Sequence, residues 1–313
     1  MLPYIQDLDV KTLHVQAPTE VVFLCGGPYE KNKEPALKSL RHAFYCIVEH
    51  PALKGREIIM AEDVTRRSDF SAHYDNLLSF ERDIAQITDL VLLFCESPGS
   101  FAELGSFSSY SEIYSQMLVV IRQIYWEENS FIKLGPLEFL KKTCGKEAVF
   151  VIRDEEIGIS NKDVSTIAID LFKKVIQQPL EARVKETREP TTFHPEKAGH
   201  RIKLIVGLIQ EYGALELEEI HETLAHFEVN ASQSEVSCYL LCAKSVGWIE
   251  DKAAGFGNYW IACADRHAIN FPIIEEATVK DRARRRALIR EHWRDNDSSR
   301  FGVIAPLEED GEL

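Results

Sequence analysis

The 313-residue chain is 45% hydrophobic and 27% charged, the composition of a globular protein with room for two domains of ordinary size. Its net charge of −14 argues against a protein that coats nucleic acid without selectivity, and no apolar run approaches the ~20 residues of a membrane span. The opening residues lack the basic and apolar regions of a signal peptide, which places the chain in the cytosol with no membrane partner.

Five short, near-continuous apolar runs recur through the first half: "VVFLCG" (21–26), "EIIMAED" (57–63), "LVLLFCE" (90–96), "MLVVIRQ" (117–123) and "AVFVIRD" (148–154). Lack of alternation suits strands covered on both faces. Segments of helical spacing separate them, among them "PALKSLRHAFYCIVEH", "FERDIAQIT", "FAELGSFSSYSEIYSQ" and "GPLEFLKKT", and "KDVSTIAIDLFKKVIQQ" follows the last. This alternation predicts an α/β fold, a Rossmann- or flavodoxin-like parallel sheet, over residues 1–182. In strand order 2-1-3-4-5 the first and third strand exits become neighbours at the switch point, where such sheets bind ligands. Those exits are "CGGPYEKNKEP" and "ESPGSFAELG". Gly26 and Gly27 allow close approach of backbone to a ligand. A helix starting near Ser100 would offer unpaired N–H groups to an anion. Neither the dinucleotide nor the P-loop glycine pattern is present.

Three acids fall at or near this edge. Glu103 is expected in the first turn of the helix, where a carboxylate could attack or stabilise an anomeric carbon; complementarity to the helix dipole would explain an early acid equally well. Asp63 follows the second run. Glu81 opens the helix that feeds the third, a direction that argues against it as a site residue. Seven cysteines without a CxxC pair and ten histidines without H-x-x-x-H spacing predict neither a disulfide framework nor a metal site.

Residues 183–199 are polar with two prolines and read as a linker. Over 200–270, "HRIKLIVGLIQEYG", "LELEEIHETLAHF" and "SQSEVSCYLLCAKSVGW" read as three helices and "IEDKAAGFGNYWIACA" as a hairpin, the element order of a winged helix. The third helix carries little equipment for reading bases, and it lacks an arginine array to neutralise phosphates. The expectation is therefore a protein-docking module, or one that binds branched nucleic acid through Lys244, Lys252 and the basic run "KDRARRRALIREHWR" (280–294), with Arg284, Arg285 and Arg286 at its centre. Residues 271–313 comprise this basic helix and a tail, "SSRFGVIAPLEEDGEL", that ends acidic and is expected to be flexible.

"LCGG" at the first strand exit, "SPGSFAELGSFS" at the third and "FIKLGPLEFLKK" after the fourth resemble retron effector proteins, in which a nucleoside 2-deoxyribosyltransferase-like domain precedes a winged-helix domain. "AED" (61–63) and "LLSFE" (77–81) fit the same pattern. The resemblance implies a phage-defence toxin held by a retron reverse transcriptase and its multicopy single-stranded DNA, in a homo-oligomer or larger assembly. It also implies cleavage of the N-glycosidic bond of NAD+, which is then a substrate, with no cofactor. By motif position Glu103 maps onto the catalytic glutamate, and Cys25, Gly26, Gly27, Ser97, Pro98, Gly99 and Ser100 onto the loops around the substrate. The usual acidic pair of true deoxyribosyltransferases is not recognisable, so Asp63 and Glu81 map less directly, and transfer to a second base is not implied. The Pro-Gly-Ser segment also resembles nucleotide phosphoribohydrolases of the lysine-decarboxylase-like group, which break the same type of bond. A nucleotide sensor without catalysis, a sequence-specific transcription regulator and an enzyme of free nucleosides or nucleotides remain the alternatives.

Overall fold

The computed structural model describes residues 2–16, 20–31, 36–65, 70–127, 129–184, 190–263 and 266–304. Its contacts gather into two units, neither continuous in sequence. One comprises Pro18–Asp63 and Thr88–Arg188; the other comprises Met1–Ala17, Val64–Ile87 and Glu189–Leu313.

The first unit is built on β1 (Val21–Cys25), β2 (Glu57–Ile59), β3 (Leu90–Cys95), β4 (Met117–Arg122) and β5 (Val149–Ile152). All neighbours pair in parallel, in the order β2-β1-β3-β4-β5, the order expected from the sequence. Every residue of β1, β3 and β4 is buried, which is why their sequences do not alternate. Around them pack α1 (Leu40–Cys46), α2 (Pro98–Phe107) and α3 (Ile169–Val184). Phe172, Ile176 and Leu180 of α3 recur every four residues and bury one helical face in the core. There Phe94 meets Phe44 and Phe172 at ring-centroid distances of 5.4 and 6.1 Å.

Two local expectations are corrected. The second apolar run does not stay extended to residue 63: the strand stops at Ile59 and Ala61–Thr65 is a helix. The helix after β3 starts two residues before Ser100. Ser97 is its N-cap and Pro98 its first residue, the position where a missing N–H costs nothing. Glu103 therefore lies in the second turn, so dipole complementarity is a weaker account of it.

In the second unit α4 (Ala198–Tyr212), ended by Gly213 at φ 83°, is followed by β6 (Ala214–Leu215), α5 (Leu217–His226), α6 (Gln233–Ser245), β7 (Ile249–Ala254) and β8 (Gly257–Ala262). Antiparallel pairing gives the order β6-β8-β7. Another small sheet sets His14–Val15 between Thr191–Thr192 and Ile269–Asn270, so the end of the expected linker is a strand. Residues 185–189 of that linker lie outside the described residues. The last described elements are α7 (Arg282–Asn296) and a helix over Ser298–Ile304. Residues 305–313 of the expected tail also lie outside the described residues. Among the described residues no helix is long and apolar enough to cross a membrane.

Helices Phe70–His73 and Leu77–Ala85 belong to this second unit and pack against α6. The Tyr74 hydroxyl lies 3.1 Å from Asp83 Oδ2 and 3.1 Å from Cys242 Sγ, and Cys238 Sγ lies 2.9 Å from the His73 carbonyl. One face of α6 is thereby covered by protein.

The glycines of the first strand exit are sterically required. A Cβ on Gly26, which sits at φ 141°, would come within 2.8 Å of both the Phe94 Cβ and the Phe94 carbonyl oxygen. On Gly105, inside α2, it would meet nothing within 4 Å. Gly26→Ala is expected to cost about 2–3 kcal/mol in urea unfolding, whereas Gly105→Ala should stabilise by about 0.5–1 kcal/mol.

Candidate functional site

The site begins with a helix cap made from far along the chain. Glu96, one residue beyond β3, accepts the Leu40 N–H at 2.7 Å and the Arg41 N–H at 3.0 Å. Ser39 accepts the His42 N–H at 2.8 Å, so the first turn of α1 is satisfied by two side chains. Burial raises the Glu96 pKa, against the lowering effect of the N–H groups of Leu40, Arg41 and Gly27. A Cβ on Gly27 would lie 2.8 Å from the Ser39 Cβ and 2.9 Å from Glu96 Oε1. The glycine loop is thus pressed onto the end of β3.

Arg41, only 4% exposed, fastens the same loop. Its Nε donates to the Gly27 carbonyl at 2.6 Å, and its two terminal nitrogens donate to Glu62 at 3.2 and 2.6 Å, a two-pronged ion pair. The guanidinium lies over Tyr29, 4.9 Å from the ring centroid.

Glu103 is acted on by this pair. Burial pushes its pKa to about 7; Arg41 works to lower it and Glu62 to raise it. Its Oε2 is shut off from solvent and has no hydrogen-bond partner among the described residues. A desolvated carboxylate without a donor is costly in a fold, and such groups concentrate where chemistry is done. It can bond to or electrostatically support a carbon that develops positive charge, or accept a proton near neutral pH.

The other expected residues divide. Cys25 is the buried last residue of β1. Ser97 Oγ accepts the Ser100 N–H at 3.2 Å, while Ser100, fully buried, accepts the N–H groups of Glu96 and Ser97 and donates to the Ser97 carbonyl. The Ser100 side chain is a turn former that shapes this loop. Pro98 and Gly99 are exposed at the helix start. Asp63 accepts the Tyr29 hydroxyl at 3.1 Å and pairs with Lys31 at 2.6 Å. Glu81 is carried by the second unit, buried on Leu77–Ala85. Sequence reading missed Arg41, Glu62 and Glu96.

Among the expected nucleic-acid contacts, Lys244 pairs with Asp251 at 2.7 Å and Lys252 with Glu250 at 3.0 Å. Arg284 is exposed. Arg285 is 0% exposed, with its Nε 3.2 Å from Glu211, so it cannot meet a polynucleotide on the surface. Arg286 lies 3.3 Å from the same carboxylate. The basic run is therefore not one outward-facing patch, because its charges are divided between solvent and Glu211.

The chain is 28% identical over 169 residues to the "Retron Ec86 putative ribosyltransferase/DNA-binding protein" of Escherichia coli, covering 54% of this chain and 51% of the relative. To the Ec73 protein of the same organism, named in the same terms, it is 24% identical over 209 residues, 65% of each chain. It thus spans about half of one curated relative's length and just under two thirds of the other's. The family model described as "STM3845 retron effector protein" matches residues 37–251, more than half of the chain, and the chain belongs to that family of retron effectors.

Proposed function

We propose that this retron effector is an N-glycosidase whose substrate is NAD+, and that Glu103 is its catalytic carboxylate. The observation that carries the reading is Glu103 itself: a desolvated carboxylate with an unpartnered oxygen, in the field of Arg41 and Glu62, on the helix that leaves β3 beside the glycine exit of β1. In NAD+ the bond between the ribose anomeric carbon and the pyridinium nitrogen breaks with its electron pair passing to nitrogen. Nicotinamide leaves neutral, so no acid is needed to protonate it. The ribosyl carbon gains positive charge, and ionised Glu103 either bonds to it or stabilises it until the oxygen of water takes that position and a proton passes to solvent. A purine base departs more easily when protonated, whereas a pyridinium needs no acid to leave, which is why NAD+ is preferred to free nucleosides in this reading.

The second unit has the element order of a winged helix, and its role in this reading is to dock the effector onto retron components, the reverse transcriptase and its multicopy single-stranded DNA. Coverage of α6 by the 70–85 helices supports docking over base reading. Tyr239 of α6 is buried and bonded to Arg201 at 3.2 Å.

Chromatographic product analysis of the chain with NAD+, alone and with its retron partners, tests the enzyme. Nicotinamide should appear with wild type and fall at least ~1,000-fold with Glu103→Gln. No base release from NAD+ or from a nucleoside panel in any of these mixtures would remove the glycosidase reading. Because the carboxylate must be ionised, kcat/KM should rise about tenfold per pH unit below about 7 and level off above it. Stability should move the other way. A carboxyl pKa raised from 4.5 to about 7 means that the contribution of this group to stability is fully present below pH ~4.5 and is lost as pH rises through 7. Glu103→Gln should therefore stabilise by up to about 3 kcal/mol at pH 8 and by nothing measurable at pH 4, as read by urea unfolding at the two pH values.

A further inference from the structure

The basic run that was expected to face a polynucleotide instead lines a pocket. Residues 282, 286 and 290 are spaced by four and share one face of α7. Their side chains line a cavity of about 610 Å³ between α7 and the C-terminal end of α4, whose apolar surface includes Ile289, Trp293 and Ile304. Trp293 is fixed there by its indole N–H, which donates to the Tyr212 carbonyl at 2.9 Å.

Charge is unbalanced around this cavity. Glu211 is 4% exposed, and three guanidiniums crowd its carboxylate: Arg282 at 3.4 Å, Arg285 at 3.2 Å and Arg286 at 3.3 Å. One negative charge thus stands against three positive ones. Among the described residues one terminal nitrogen of Arg286 is buried without a hydrogen-bond partner, while the buried Arg285 pairs with Glu211 and bonds to the Tyr212 hydroxyl. Arg285 is fully buried behind the cavity, whereas Arg282 and Arg286 keep about a third of their side-chain surface exposed at its wall; guanidiniums in excess over their carboxylate attract an anion, and their planar donors suit phosphate oxygens. The pocket is of the size that encloses ligands of a few hundred daltons, and it combines cationic and apolar walls. Its arginines lie on a helix outside residues 37–251 that match the family.

We infer that the cavity between α4 and α7 is a binding site for a nucleotide-sized phosphorylated molecule, with its phosphate on Arg282 and Arg286 and its apolar part against Trp293 and Ile304. The site is separate from the Glu103 site and independent of its chemistry. Occupancy completes the charge balance that holds α7 on α4.

Calorimetric titration of the full chain with ADP tests this, with inorganic phosphate and a ten-nucleotide single strand as parallel probes. One-to-one ADP binding is expected, unchanged by Glu103→Gln and weakened at least tenfold by Arg282→Gln or Arg286→Gln. Arg286→Lys, which keeps the charge but loses the fork, should weaken it less. Circular dichroism of each variant establishes that it is folded. No ADP binding at millimolar concentration would overturn the inference, as would affinity indifferent to both arginine variants, or binding of the oligonucleotide alone.

Discussion

The contact on which the candidate site depends is the Glu96 carboxylate on the first turn of α1. It joins the end of the third strand to the helix that follows the first, across 55 residues of sequence. A parallel sheet delivers the ends of β1 and β3 to adjacent places, but strand pairing alone leaves their loops undefined. Glu96 defines them by taking two backbone N–H groups of α1, and this brings Gly27 so close that no side chain fits. Arg41 is then aimed at the Gly27 carbonyl and at Glu62, which ties the exit of β1 to the helix beyond β2. Three strand exits are thereby held by charge-assisted hydrogen bonds in a mostly buried setting, where such bonds are strong.

Glu103 gains its character from that frame. Arg41 has its hydrogen bonds committed to Gly27 and Glu62, so it reaches Glu103 as a field and not as a donor. The result is a carboxyl group kept near neutrality in pKa, with one oxygen left for something else. The same acid paired directly with Arg41 would titrate well below its ordinary value and be a poorer nucleophile. Stability is given up at this position in the ionised state, a pattern expected where a site serves reaction.

How far the sequence showed this varies with the range of the interactions concerned. The sheet was legible because burial on both faces leaves unbroken apolar runs, as in β1, β3 and β4. The glycine exits and Glu103 were legible because turn residues and a short Pro-Gly-Ser segment are local signals. The true cap was also written locally: Pro98 belongs at a first helical position, which points to Ser97 and not Ser100 as the cap. Arg41, Glu62 and Glu96 were not legible. Each works through a partner 14 to 56 residues away, and an acid at a strand end looks the same whether it caps a distant helix or meets solvent.

The basic run makes the same point from the other side. Counted along the sequence, 280–294 is a cationic segment in an acidic chain, and the simplest reading turns it toward a polyanion. A helix, however, distributes neighbours around its circumference: Arg284 goes to solvent, Arg285 to the interior, and Arg282 with Arg286 to the cavity wall. Only the carboxylate on α4 explains why three of them can be drawn inward, and one carboxylate is too little to neutralise them. The chain as a whole carries a net charge of −14. Its attraction to any nucleic acid must then be local and dependent on shape.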